Sequence, residues 1–267
     1  MANFDITPYV NMKPSEVRER IRRQEITFPT AGMAAGYAQA NLVILPGEWA
    51  KDFREFCRLN PFPCPVLEIM EGSPKTHDMG EGGDITTDIP EYFIYRDGVM
   101  VEKRRDVSDM WQDDFVGFLI GCSFSFESEL IDAGIEIRHN TMGRNVPMYI
   151  TNIETTPAGI FHGPMTVSMR PIPYDQIVKA VTVSGALPQV HGTPVHIGDP
   201  SVIGIKDINK PDFGDPVEIR DGEVPVFWAC GVTPQSVLMS VKPDFVITHA
   251  PGYMLITDVK NVDLKNK

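Results

Sequence analysis

Val224-Pro225-Val226-Phe227-Trp228-Ala229, followed by Cys230-Gly231-Val232-Thr233, then Pro234–Val241 and Phe245–Thr248, is the stretch on which the fold class turns. The first six residues are aromatic and β-branched enough for a strand. The next four form a glycine turn, and Pro234 at the first helical position, with Thr233 as N-cap, opens a helix. Phe245–Thr248 reads as a second strand. Upstream, Met165–Met169 leads into the helix Tyr174–Val183 in the same manner, and Tyr253–Val259 supplies a final strand. Strands joined through helices of this length predict parallel pairing with crossover helices, hence an α/β fold.

Working outward, Pro14–Glu25 is a charged helix with Val17 and Ile21 on one face, and Glu48–Leu59 is a second helix striped by Trp49, Phe53 and Phe56. Between them lie the turn Phe28–Gly32 and a small-residue segment ending in the apolar run Leu42–Leu45. Val66–Met70 reads as a short strand. Tyr92–Tyr95, Asp97-Gly98 and Val99–Glu102 form a hairpin, because Asp-Gly supplies the positive dihedrals of a tight primed turn. Asp109–Ile120 reads as a helix with Trp111, Phe115, Phe118 and Leu119 inward. After a break at Gly121, Ser125–Ala133 makes another helix stopped by Gly134, and Ile135–Arg138 and Pro147–Thr151 read as short strands. The expected architecture is a larger three-layer α/β body with a mixed sheet, residues 1–64 and 166–267, and a smaller two-layer acidic α/β lobe, residues 65–165.

The 267 residues are 42% hydrophobic and 22% charged, with a net charge of −12. That charge is concentrated: residues 61–136 carry 5 basic and 17 acidic side chains, which reads as a solubilising surface. No basic stripe tracks a phosphate backbone, so nucleic acid is excluded as a partner. The N-terminus shows no signal-peptide pattern and no apolar run is long enough to span a bilayer. Cys57, Cys64, Cys122 and Cys230 form no C-x-x-C pair and read as reduced thiols of a cytoplasmic protein. With 23 Pro and 22 Gly, short elements and structured loops are expected.

Two loops hold the strongest candidate chemistry. In Gly121-Cys122-Ser123-Phe124-Ser125-Phe126-Glu127, hydroxyls and free N–H groups at a helix start suit an anion, although on pattern alone Ser125 as a plain cap and Cys122 as a small apolar residue is the favoured reading. In His191–Pro200, His191, His196 and Asp199 can relay a proton or contribute to a metal site, whose remaining ligands would come from Asp207, Asp212, Asp215 or His249. The alternative is imidazoles bonded to loop backbone. Arg138-His139, Arg144-Asn145 and Arg170 lie at short strands, where arginine can grip a carboxylate. Cys230 and Thr233 sit at the carboxyl end of a strand, where open α/β sheets bind ligands.

Many of these segments, with Pro29–Gly32, Gln39–Pro46, Asn60-Pro61, Cys64-Pro65, Asn145–Tyr149, Ser168–Pro171, Pro211–Asp215 and Ile247–Gly252, resemble the hydro-lyase family related to D-glutamate cyclase. The resemblance runs from about residue 15 to 258. Tyr253 stands where many members carry His. It implies a two-lobed α/β fold and cyclisation of D-glutamate to 5-oxo-D-proline with loss of water. No residue role comes with it, so roles follow from chemistry. Arg138 or Arg170 is the expected carboxylate clamp, and His191 or His196 the expected base and acid. Asp199 is expected to orient a histidine. Ser123, Ser125 and nearby N–H groups are expected oxyanion donors, and Cys122 is a weaker nucleophile candidate. His139, Asn145, Cys230, Thr233 and His249 are expected around the substrate. No nucleotide motif is present. No cofactor is expected, with a divalent metal as the alternative. The expected partner is a small carboxylate or amino acid, with no nucleic acid or membrane, and a homo-oligomer is left open. The competing readings are a metal-assisted dehydratase and a non-enzymatic amino-acid-binding protein.

Overall fold

The computed structural model describes residues 5–265. In chain order it contains α1 (Pro14–Arg22), β1 (Tyr37–Pro46), α2 (Gly47–Leu59), β2 (Val66–Glu71), β3 (Tyr92–Arg96), β4 (Val99–Arg104), β5 (Phe115–Gly121) and α3 (Phe124–Asp132). There follow α4 (Arg138–Thr141), β6 (Met148–Glu154), β7 (Pro164–Pro173), α5 (Ile177–Gly185), β8 (His196–Ile197), β9 (Glu223–Ala229), α6 (Thr233–Val241), β10 (Phe245–His249) and β11 (Leu255–Lys260). The strands build a seven-stranded sheet in the order β2-β5-β1-β10-β3-β4, with β11 also on β1, and a four-stranded sheet β6-β7-β9-β8. The α/β class holds.

The expected parallel pairing does not. Every registered pair among the described residues is antiparallel. The physical reason lies in α6. The crossover rule applies when both strands share a sheet, whereas α6 carries the chain from β9 in the small sheet to β10 in the large one. Sheet membership also cuts across the 65–165 boundary: β2, β3, β4 and β5 pair into the sheet that holds β1, β10 and β11.

The hairpin forms as its turn chemistry requires, with Asp97 at φ 50° and Gly98 at φ 75°. The expected helix Asp109–Ile120 is instead a 3-10 turn at Ser108–Met110 and the strand β5. All seven residues of β5 are buried, because it lies between β1 and β2 with apolar packing on both faces. A strand covered on both sides loses its period of two, so its apolar positions fit a helical stripe equally well. The expected strand Ile135–Arg138 is a loop entering the single turn α4.

Two apolar clusters cover the large sheet. One, around Phe53, Phe56, Phe118 and Phe161, lies under α2 and α6; the other centres on Leu42, Ile44, Ile94, Leu119 and Ile247. Between the sheets, Phe126 and Leu130 of α3 pack with Ala180 of α5 and Val226 and Trp228 of β9. Part of the acidic middle is internal rather than solvating. Asp88 is buried and paired with Arg18 and Arg22 of α1, and Glu68 accepts the backbone N–H groups of His77 and Met79.

Candidate functional site

Arg170, on β7, is completely buried between the sheets. Its guanidinium donates through Nη1 to Ser168 Oγ at 2.7 Å, through Nη2 to Ser123 Oγ at 2.9 Å, and through Nε and Nη2 to Glu127 Oε1. Phe126 and Trp228 stack against it, with its Cζ 4.9 and 5.5 Å from their ring centroids. On the other side of Glu127, His139 Nε2 lies 3.2 Å from Oε1 and 3.3 Å from Oε2. Burial alone would raise the Glu127 pKa, but His139 and Arg170 outweigh it and hold the carboxyl down at about 2. The site carries a fixed positive charge with one fixed negative partner, and two hydroxyls that can yield to another acceptor.

The sequence places these groups through a tight local geometry. β5 ends at Gly121, where a Cβ would strike the Gln189 carbonyl, so the loop 188–191 lies directly on the strand end. Ser123 and Ser125 then open α3, but neither acts as the expected side-chain cap. Ser123 is held by Arg170, and Ser125 Oγ accepts from Gln39 N–H. Asn41 of β1 donates to Gly121 O at 2.7 Å, and its amide occupies the space a side chain at Gly231 would need. The expected N-cap role of Thr233 is corrected: the cap position is Val232, and Thr233 Oγ1 donates to Cys230 O and accepts from Thr166 N.

His191 borders this centre. It is buried, ends a 3-10 turn in the left-handed region at φ 83°, and donates from Nδ1 to Phe62 O at 2.7 Å. Its Nε2 has no partner. Burial lowers its pKa to about 4; the Phe62 and Gly121 carbonyls push it up, and the nearby Arg170 charge pushes it down. His191 is therefore a neutral imidazole at neutral pH. His249, at the end of β10, is also buried and lowered by burial to about 4, with an unpartnered Nε2.

Other expected residues fall elsewhere. His196 is partly exposed on the short strand β8 and meets the backbone carbonyl of Asp199. The Asp199 carboxylate caps Ser201 N–H, so it orients no imidazole. Arg138 is buried but engaged by Glu136 and Glu223 and by the Glu218 carbonyl. Arg144 donates to the Pro216 carbonyl. Asn145 packs against Gly252 and holds its own loop. Burial pushes the Cys230 thiol up to about 11 and Cys122 higher still, so neither is a thiolate at neutral pH. Among the described residues no three His, Cys, Asp or Glu side chains gather as a metal-ligand set, and Asp207, Asp212, Asp215 and His249 form none. Glu127, Ser168, Asn41 and Gln235 are site groups that sequence reasoning did not assign. Glu127 alone had a visible signal, as an acid opening a helix beside a serine pair.

Two open concavities of the surface lie elsewhere. One of about 350 Å³ is lined by Arg54, Glu71, Ser73, Lys75 and His77. Another of about 330 Å³, lined by Leu67, Met79, Gln189 and Leu264, backs onto the 188–191 turn. The chemistry favours the buried cluster over the first, because Arg54 and Lys75 are already paired with Glu71 and Asp84 at the exposed rim.

A model of the D-glutamate cyclase family matches residues 116–258, the span that contains Glu127, His139, Arg170, His191 and His249. The chain belongs to the D-glutamate cyclase family. It is 64% identical to a "Putative hydro-lyase" of Clostridium beijerinckii, covering 96% of this chain and 98% of that one. It is 59% identical to a "Putative hydro-lyase" of Bacillus subtilis, covering 95% and 99%. As a member of this family the protein is an enzyme, a lyase of the hydro-lyase kind. No helix among the described residues is long and apolar enough to cross a membrane.

Proposed function

We propose that the enzyme interconverts D-glutamate and 5-oxo-D-proline by acid–base chemistry at the Arg170 cluster. One observation carries the reading: a fully buried guanidinium held in part by displaceable serine hydroxyls lies beside a neutral imidazole with a free Nε2. A substrate carboxylate would replace the hydroxyls of Ser123 and Ser168 on Arg170, keeping every donor bonded. Glu127 and His139 hold the guanidinium in place while this exchange occurs.

Ring closure requires the ammonium nitrogen to lose two protons and one γ-carboxylate oxygen to leave as water. The two counts match. His191 Nε2 accepts a proton from the ammonium, the freed amine attacks the γ-carbon, and the C–N bond forms as the carbonyl opens to a tetrahedral oxyanion. The protons released from nitrogen go to the departing oxygen as the C–O bond breaks, so no net proton is consumed. Serine hydroxyls and free N–H groups at the start of α3 would stabilise the oxyanion. The protonated thiols of Cys122 and Cys230 take no covalent part.

The test is incubation of the purified protein with D-glutamate, with chiral chromatography of the product and L-glutamate as comparison. Formation of 5-oxo-D-proline at a rate proportional to enzyme supports the assignment. No turnover of either enantiomer, with or without added divalent metal, would sink this substrate.

A further inference from the structure

Glu127 is buried and ionised at neutral pH, yet its two oxygens are unequally served. Oε1 accepts from Arg170 Nε and Nη2 and lies 3.2 Å from His139 Nε2. Among the described residues, Oε2 meets only that same His139 nitrogen, at 3.3 Å. A ring nitrogen carries one proton at most, so the two oxygens share a single donor there. A carboxylate has room for about four hydrogen bonds. A buried charged oxygen left with part of one long contact is costly, so Oε2 has capacity for a strong donor.

The same guanidinium ties this carboxylate to the place where a substrate carboxylate is received. Arg170 Nη2 donates both to Glu127 Oε1 and to Ser123 Oγ, the latter at 2.9 Å. Two acceptors on one nitrogen, each within about 3 Å of it, lie no more than about 6 Å apart. A carboxylate oxygen that replaces the Ser123 hydroxyl therefore comes within about 6 Å of the Glu127 carboxylate. In an α-amino acid, bond lengths and angles place the nitrogen only about 2.7 Å from its nearer carboxylate oxygen. The ammonium can thus span the gap and touch Glu127 while the carboxylate stays on Arg170. A carboxylate with no ammonium instead brings a second negative charge towards Glu127 with nothing between them.

We infer that Arg170 and Glu127 together form a receptor for the zwitterionic head of an α-amino acid, the guanidinium taking the carboxylate and Glu127 taking the α-ammonium. This rests on the placement of substrate at Arg170 proposed above, and it makes Glu127 the group that selects amino acids over hydroxy acids and plain carboxylates. A hydroxyl on the same carbon offers Glu127 one neutral donor in place of a cation, and a methylene offers none. The arrangement also suits the proton transfer. The Glu127 carboxyl, held at about 2, does not compete with His191 for the ammonium proton. Once that proton has passed to His191 Nε2, the amine keeps two N–H bonds. One of them stays on Glu127, so the nitrogen remains in place while its lone pair becomes free.

D-norvaline and pentanoate isolate the ammonium. Both carry a carboxylate on the five-carbon chain of glutamate, both lack the γ-carboxylate, and neither can close a ring, so they differ in the ammonium alone. Each is titrated calorimetrically into the full chain at pH 7. The wild-type protein is expected to bind D-norvaline at least about tenfold more tightly than pentanoate. Glu127→Gln, which keeps the shape and a neutral acceptor, is expected to bring that preference below about threefold. Should this variant not fold, Glu127→Asp, whose charge is drawn back by one methylene, is expected to lower the preference by at least about threefold. Equal wild-type affinities, no saturable binding of D-norvaline, or a preference unchanged in the folded variant would overturn the inference. A preference for D-norvaline without ring closure of D-glutamate sinks only the assigned reaction. Ring closure with equal affinities sinks only the zwitterion receptor.

Discussion

Arg138 and Arg170 are both buried arginines, and from sequence each is an equally good carboxylate clamp. Their surroundings separate them. Arg138 sits between two carboxylates, Glu136 and Glu223, and Glu136 is shared with Arg220 at the surface. A third carboxylate would meet like charges there. Arg170 has one carboxylate, Glu127, and its remaining donors rest on neutral hydroxyls. An anion can replace a hydroxyl with no like charge in direct contact except Glu127, which His139 helps to offset. The same residue type thus acts as a structural pin in one place and as an anion receptor in the other. The deciding partners lie 85 and 43 residues away along the chain.

The largest effect that can break this comparison is at Arg170 itself. Arg170→Met is expected to lower kcat/KM for D-glutamate by at least about 10³-fold. It should also cost about 3–5 kcal/mol of stability, because Glu127 is left buried without the guanidinium it pairs with. Adding Glu127→Gln should restore most of the stability and none of the activity, as read by urea unfolding and product chromatography. Recovery of activity in the double variant would make Arg170 structural.

Next in size is His191→Gln, expected to lower kcat about 10²–10⁴-fold, against a change of less than about threefold for His196→Gln. The reverse ranking would move the base to the exposed part of the loop.

The third effect is acid lability. His191 and His249 have folded pKa values of about 4, below the ordinary 6.5. Between those values the unfolded chain binds more protons, so stability falls as pH drops from 6.5 to 4, by about 3 kcal/mol for each ring. Glu127, held at about 2 from an ordinary 4.5, extends the loss below pH 4.5. Urea unfolding at stepped pH should show the decline, flattened by His191→Gln and unchanged by His196→Gln. An identical slope in all three proteins would contradict the buried neutral imidazole.

The smallest effects complete the contrast. Arg138→Gln should cost about 1–3 kcal/mol through lost charged hydrogen bonds, with turnover within about threefold of the parent. Asp199→Ala should remove only the Ser201 cap, at about 1 kcal/mol or less. A larger loss of turnover in either variant would restore it to the site.

Much of the chain was legible from local pattern. The hairpin at Asp97-Gly98, the helices α1, α2, α3, α5 and α6, the end of β9 at Ala229 and, to within one residue, the end of β10 follow from turn chemistry and periodicity. β5 did not, because burial on both faces erased the alternation that marks a strand. Antiparallel pairing was also hidden, since nothing local in Thr233–Val241 says that it crosses between two sheets. In the candidate site, Ser123, Arg170, His139 and His191 were visible as residue types suited to the chemistry. Glu127 showed only as an acid opening a helix, its pairing with Arg170 lying 43 residues away; Asn41 acts through a contact 80 residues distant, and Ser168 through Arg170, whose own role only the fold shows. His196 and Asp199 looked like a proton relay only because they are neighbours in sequence; in space the Asp199 carboxylate turns to its own loop.

The central claim is that the buried Arg170 cluster, and not an open surface cleft, receives the substrate. A crystal structure of the enzyme grown with 5-oxo-D-proline tests it most directly. The account predicts the ligand carboxylate on Arg170 in place of the Ser123 and Ser168 hydroxyls, within reach of His191 Nε2. A ligand bound instead among Arg54, Ser73, Lys75 and His77, with the Arg170 network unchanged, would contradict it.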